Sequence, residues 1–396
     1  MFLSRIALCL TLPLLAQAPP APMATPKPQR TFTIETELKR SDVKSQGKTG
    51  TCWCFATTSY MESELQRLGK GDIGLSEAFV VRNTYPAKAW HYYRNQASVV
   101  WSPGGQAHDW IDTVKAYGIV PREAYTGMLP GEKEHNHGEL HSGMKAFMDV
   151  VAKGKQPSNH FPAVLTSMMD IYLGPTPATF TFQGKSHTPQ SFRDSLGLNL
   201  DDYVEISSFT HHPMYQPFRL EVQDNWSQNS RYYNVPLNEL EEVMTHALRN
   251  GYTFAWDGDM SEKSFDQKNL GYAYLPKEFD PKAEPVKVEP AKTEVKTETK
   301  PEPLKPEPEL EVTQELRQKS FDDFRTTDDH LMHIVGLAKD QEGTPFFITK
   351  NSWGEKNGPN KGYVYMSRQF VRMKTLAILV HKNAIPAAIK AKLGIK

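Results

Sequence analysis

The stretch Gln46-Gly-Lys-Thr-Gly-Thr-Cys52-Trp53-Cys54-Phe55-Ala56 constrains this chain more than any other. Gly47 and Gly50 suit a loop that turns tightly. After them Trp53, Ala56 and Tyr60 recur at near-helical spacing, as do Met61, Leu65 and Leu68, and Gly69 suits a stop. The pattern places Cys52 at the N-terminus of a helix. Unpaired backbone N–H groups and the helix dipole favour an anion there. Such a site can lower a thiol pKa from ~8.5 to between ~3.5 and ~7.5, most of all beside an imidazolium. The competing reading is a buried structural cysteine.

A second pair of stretches bears on that choice. Asp328-Asp329-His330-Leu-Met-His333-Ile-Val-Gly336 is followed by Phe347-Ile-Thr-Lys350-Asn351-Ser352-Trp353-Gly354. With the Cys52 stretch they supply a nucleophile, a base and an orienting amide, the set used in Cys-His-Asn hydrolysis. His333 competes with His330 as the base, but three residues along a strand put it on the opposite side. Asp329 suits an electrostatic or loop-fixing role, and Asp328 reads as solvated. Cys54 reads as a small packing residue on another helix face.

At these residues the chain resembles the papain-like cysteine peptidases. That family carries Gln-Gly-x-x-Gly-x-Cys-Trp, then Asp-His with Gly six residues on, then Asn-Ser-Trp-Gly, in this order. Within it, the bleomycin hydrolase and aminopeptidase C branch is similar in three further places: Thr49 upstream of the nucleophile, Ser102-Pro-Gly104-Gly105-Gln106, and the tail from His381 to Lys396. The resemblance implies a two-lobed α+β fold with a helical lobe and a β-barrel-like lobe, Cys52 on one lobe and His330 on the other. It implies that Asn351 orients His330, and that the Gln46 amide joins the Cys52 backbone N–H as an oxyanion hole. It implies that Gly104 and Gly105 let an extended peptide pair beside the cleft. It also implies that the tail, ending at Lys396, blocks the non-primed side and meets the substrate's free amine. The activity expected is removal of N-terminal residues from peptides, within a homohexamer. The alternatives are an open-cleft endopeptidase and a catalytically silent envelope-binding protein.

The coarse order of elements agrees with an α+β protein: helices first, strands later. Helices are expected from Ser76, from Gln106 to Tyr117, from Glu139 to Lys153, from Thr188 to Gly197 and from Leu237 to Asn250. Strands are expected at Tyr203–Phe209, Tyr252–Trp256, Leu331–Leu337, Pro345–Lys350, Gly362–Ser367 and Leu376–Lys382.

Residues 1–18 read as a secretory signal, with Arg5, an apolar run and Ala16-Gln-Ala18. Residues 19–39 read as a flexible leader, and 40–396 as the peptidase domain. A Lys/Pro/Glu-rich tract at about 277–311 reads as a disordered insertion, because it cannot bury enough surface to offset its ordering entropy. An exported location follows, periplasmic or extracellular. Cys9 leaves with the signal, so Cys52 and Cys54 remain without a disulfide framework. The 46 basic and 46 acidic residues cancel, which gives no electrostatic argument for nucleic acid. His135, His137 and His141 read as solvated histidines. A thiol mechanism needs no metal or cofactor. Asn225-Trp-Ser227 fits a glycosylation acceptor pattern.

Overall fold

The structure, a computed structural model, describes residues 30–154, 158–277, 306 and 308–396. The first strand, β1 (Phe32–Glu37), precedes the helical half. That half holds α1 (Cys52–Arg67), α2 (Glu77–Arg94), α3 (Ala107–Tyr117), α4 (Gly138–Lys153), α5 (Phe161–Leu173), the hairpin β2 (Phe180–Phe182) and β3 (Lys185–His187), and α6 (Pro189–Leu196). Ser76 caps α2 by accepting the Phe79 N–H, and Pro189 opens α6 behind the Thr188 cap.

The central helix is α1. Its residues from Trp53 to Leu65 are all buried, polar ones included. A helix enclosed on every side must satisfy its polar groups internally. Here Thr57 donates to its own helix at Trp53 O (2.7 Å), and the Trp110 indole donates to Thr58 (2.9 Å). Ser59 meets His333 at 2.8 Å, and Glu62 accepts from Lys44 and from the Leu75 N–H.

The sheet half adds β4 (Tyr203–Ser207), β5 (Pro217–Phe218), β6 (Tyr232–Asn234), α7 (Leu237–Arg249), β7 (Phe254–Gly258), β8 (Phe265–Asp266) and β9 (Tyr272–Ala273). It continues with α8 (Gln314–Asp322), β10 (His330–Asp340), β11 (Pro345–Lys350), β12 (Tyr363–Ser367), α9 (Arg368–Lys374), β13 (Thr375–His381) and α10 (Ala387–Lys392). The strand order is β5-β6-β4-β13-β7-β10-β11-β12-β9-β8, with β1 on the far half of β10. Alternation divides the two faces. Ala255, Leu331 and Leu379 pack with α1. Trp256, Met332, Ile334, Ile378 and Val380 pack beneath Leu240, Val243, Met244 and Ala247 of α7. The sheet is open: β5 and β8, of two residues each, stand at its ends and do not pair with each other. The expected barrel-like lobe is therefore an open sheet.

Three expectations need correction, and one helix had no sequence counterpart. The leader does not run to residue 39, because β1 pairs with β10 from Phe32↔Asp340 to Glu37↔Gly336. Arg30 anchors it, its buried guanidinium ion-paired with Asp340 beneath Tyr274 and Phe346. The expected disordered tract does not reach 311: Glu309 accepts from Ser367, and Leu310 N–H reaches Leu275 O at 3.0 Å. The apolar helix α5 was not foreseen. The tail ends away from the cleft: Ile389 and Leu393 join the core under α7, and Lys392 pairs with Glu239 at 2.6 Å. The signal and the rest of the tract lie outside the described residues. Among the described residues no helix is long and apolar enough to cross a membrane.

Candidate active site

Cys52 is the first residue of α1, at the junction the loop glycines predict. Gly47 and Gly50 both have positive φ (60° and 64°). A Cβ on Gly47 would lie 2.3 Å from His135 O, and one on Gly50 2.7 Å from the Pro103 ring. The loop is therefore pressed between two neighbours that only glycines admit. Cys52 stays partly exposed. Its sulfur accepts the N–H groups of Trp53 and of Leu331, which ties the start of α1 to the start of β10. Burial nevertheless pushes the thiol up to about 12, and the carboxylates of Asp224 and Asp328 push the same way. The resting group is a thiol, contrary to the helix-terminus expectation. Two N–H donors do not outweigh burial, to which the nearby Asp224 and Asp328 carboxyls add.

His330 opens β10, next to Leu331. Its Nε2 lies 2.7 Å from Asn351 Oδ1. The Asn351 amide is fixed: Nδ2 donates to Gln267 Oε1 (2.6 Å), while Oδ1 also accepts the Ser352 N–H (2.7 Å). Oδ1 must then accept from His330, so Nε2 carries the proton and Nδ1 is the basic nitrogen. Nδ1 makes no hydrogen bond among the described residues. Trp353 covers the ring at 5.1 Å between centroids. Burial lowers the imidazole to about 4, against the opposing Asn351 bond. Thiol and imidazole are neutral neighbours, and no hydrogen bond joins Cys52 to His330 in this arrangement. His333 is turned the other way, buried on Ser59 beneath α1. Cys54 is buried in the packing, its sulfur on Glu77 O at 3.3 Å.

Gln46 enters the site from the start of the loop that leads into α1. Its N–H donates to Ser352 O (2.8 Å), and its Oε1 accepts the Ser352 hydroxyl (2.6 Å). That leaves Nε2 without a partner among the described residues. The Cys52 N–H, first of its helix, likewise has no acceptor among them. Two donors stand uncommitted beside the sulfur.

Gly104 and Gly105 line the other wall. A Cβ on Gly105 would meet Asp109 at 2.8 Å and Trp53 at 3.1 Å. One on Gly104 would lie 1.8 Å from Asp224 Oδ2, so a carboxylate rests against the bare Cα. The structure thus brings Cys52, His330, Asn351, Gln46, Gly104 and Gly105 together. It does not bring Lys396: the preceding Ile395 packs with Ile389 and Leu393 beneath α7, on the face of the sheet opposite α1.

Sequence reading missed Gln267 and Asp224, which lie in loops with no motif. Asp328 is not simply solvated: it accepts Gln106 Nε2 at 2.8 Å and the Asp224 N–H. His135 and His137 are buried as well. Asn225 is buried, its amide spent on Leu220 O and Asn229 O, which removes it as a glycosylation acceptor in the folded chain.

A helical lobe and a sheet lobe packed across a buried α1, with thiol, imidazole and amide at their junction, define a papain-like fold. The sequence profile of the Peptidase C1-like family matches residues 91–275 and 311–395, and the chain belongs to that family. Aminopeptidase W of Lactobacillus delbrueckii subsp. lactis is 23% identical over 415 residues, covering 93% of this chain and 86% of the relative. Aminopeptidase G of the same organism is 24% identical over 393 residues, covering 89% and 84%. A crystal structure of PepW from Lactobacillus rhamnosis superposes with a TM-score of 0.67 at 20% identity, covering 91% of this chain and 84% of that one.

Proposed function

We propose that this protein is a cysteine aminopeptidase acting on peptides through a thioacyl-enzyme. The observation that carries the reading is the His330 Nε2–Asn351 Oδ1 contact of 2.7 Å, which leaves a basic Nδ1 beside the residue that holds the Cys52 sulfur. On attack the Cys52 S–H proton passes to His330 Nδ1, and the sulfur bonds to the substrate carbonyl carbon. The oxyanion is received by Gln46 Nε2 and the Cys52 N–H. The imidazolium returns its proton to the leaving amine as the C–N bond breaks. Water, deprotonated by the same nitrogen, then releases the acyl group and restores the thiol. Each role uses groups of the chain alone.

Preference for a free N-terminus is supported by the relatives, which are called aminopeptidases. It is supported also by Asp224, which fills the space over Gly104 where a longer chain would run. The Lys396 anchor is not part of this reading. The test is hydrolysis of amino-acid 4-methylcoumarin amides with free and with acetylated amines. Free-amine preference, abolished by Cys52→Ala, is the expected result. Equal rates on both would point to an endopeptidase, and no hydrolysis by intact protein would reject the enzyme.

A further inference from the structure

The wall beside the nucleophile holds more carboxylates than the thiol chemistry uses. Asp224 sits on the loop between β5 and β6, and that loop is pinned. Trp226 Nε1 donates to Asp109 Oδ2 (2.8 Å), and Asn229 Nδ2 to Glu205 Oε2 (2.9 Å). Asp224 Oδ1 accepts the Ser102 hydroxyl at 2.7 Å, and its N–H reaches the Asp328 carboxylate. Behind Asp328 lies Asp257, which is 3% exposed and whose side-chain hydrogen bond is to the Asp328 carboxyl itself, a contact that requires a shared proton.

The charges do not balance. Asp109 and Glu205 join these three, and the cations facing the five are Lys88 and His108. Lys88 is held on the carbonyls of Ser102 and Gly104, and His108 lies 3.0 Å from Glu205. Buried negative charge of this kind calls for a cation or a proton. Asp328 and Asp257 are correspondingly pushed up, Asp328 to about 8, by burial and by their carboxylate neighbours.

We propose that Asp224 and Asp328, backed by Asp257, form the seat of the substrate's free α-ammonium. This deepens the aminopeptidase reading and rests on it. An N-terminal residue whose carbonyl lies at Cys52 carries its ammonium one bond beyond the α-carbon, toward Gly104 and these carboxylates. Asp224 therefore has two effects. Its bulk against Gly104 stops the chain from extending, and its charge receives the amine where the chain stops. An internal acidic wall does the work that a chain terminus in the cleft would do.

The test compares alkylation of Cys52 in the full chain by leucine chloromethyl ketone and by its N-acetyl derivative, read as the mass of the Cys52 peptide. A ratio of the two rates cancels any change in thiol reactivity. The wild type should favour the free amine by about ten- to a hundredfold, the scale of one hydrogen bond to a charged group. The isosteric Asp224→Asn should erase most of that preference, while Asp201→Asn on the surface leaves it intact. Asp224→Ala should also admit the acetylated label faster. A wild type indifferent to acetylation, or a preference unchanged in Asp224→Asn, overturns the proposal. If the label discrimination holds but no amide is hydrolysed, the ammonium seat stands and the peptidase reading falls.

Discussion

The Ser352 hydroxyl donates to Gln46 Oε1 at 2.6 Å, and this one contact decides which end of the Gln46 amide faces Cys52. With Oε1 committed, the NH2 group is left for a developing negative charge. A donor fixed before reaction needs no reorganisation when the charge appears. Gln46→Ala should lower kcat about ten- to a thousandfold with little change in KM, the scale for one such donor. Ser352→Ala should lower kcat less, because the amide is freed but not removed. Steady-state kinetics on an amino-acid coumarin amide separate the two. A KM effect without a kcat effect would move Gln46 from transition-state stabilisation to ground-state binding.

Gln267 holds Asn351 as Asn351 holds His330. Its Oε1 takes the Asn351 NH2 group, so the tautomer of His330 depends on a residue two contacts away. Gln267→Ala should free Asn351 to turn over and present its NH2 to the imidazole. Kcat should fall about ten- to a hundredfold, part of the roughly 10⁴-fold loss that a wrong tautomer produces in a catalytic triad. Gln267→Glu keeps the acceptor and should retain most of the rate. An unchanged kcat in Gln267→Ala would remove Gln267 from the relay that fixes the His330 tautomer.

What the sequence revealed, and what it did not, divides along physical lines. Cys52, His330 and Asn351 were legible because local chemistry surrounds them: tight glycines before a helix, and strand neighbours of fixed spacing. The helices from Ser76, Gln106 and Leu237 were legible from caps and periodicity. Asp224, Asp257 and Gln267 were not, because each matters only through a contact made across the fold. The tail was misplaced for a related reason. Ile389 and Leu393 are an ordinary apolar pair in sequence, and only the uncovered surface beneath α7 determines that they dock there. The thiol's raised pKa likewise comes from neighbours supplied by distant loops.

His137 carries a cost in acid. It is buried, neither ring nitrogen has a partner, and burial beside His135 and His141 lowers it to about 4. Its folded pKa lies below its unfolded value near 6.5. The unfolded chain therefore binds the proton first, and stability falls as pH drops from about 6.5 to about 4. This one group accounts for up to about 3 kcal/mol over that window, at about 1.36 kcal/mol per unit. His137→Asn, which suits the N-cap position of α4, should lose less stability between pH 7 and pH 4.5 than the wild type. Urea midpoints at both pH values test this. Parallel declines would place the acid sensitivity in another group.

The reactivity of Cys52 should respond to the carboxylates in a pH-dependent order. Asp224 and Asp328 both disfavour the thiolate, which lies at about 12. Removing a negative charge lowers that value and enlarges the thiolate fraction at a given pH. Asp328 titrates at about 8, so below that pH it is neutral and has no charge to remove. Asp224→Asn should therefore speed alkylation by iodoacetamide already at pH 6.5, by about two- to tenfold for one partly screened charge. Asp328→Asn should do little at pH 6.5 and gain its effect only above about pH 8. Iodoacetamide, which has no amine, reports the thiol without engaging the proposed ammonium seat. Equal acceleration by Asp328→Asn at pH 6.5 and pH 9.5 would mean that Asp328 is ionised throughout, and the excess of buried charge would then be neutralised by some other group.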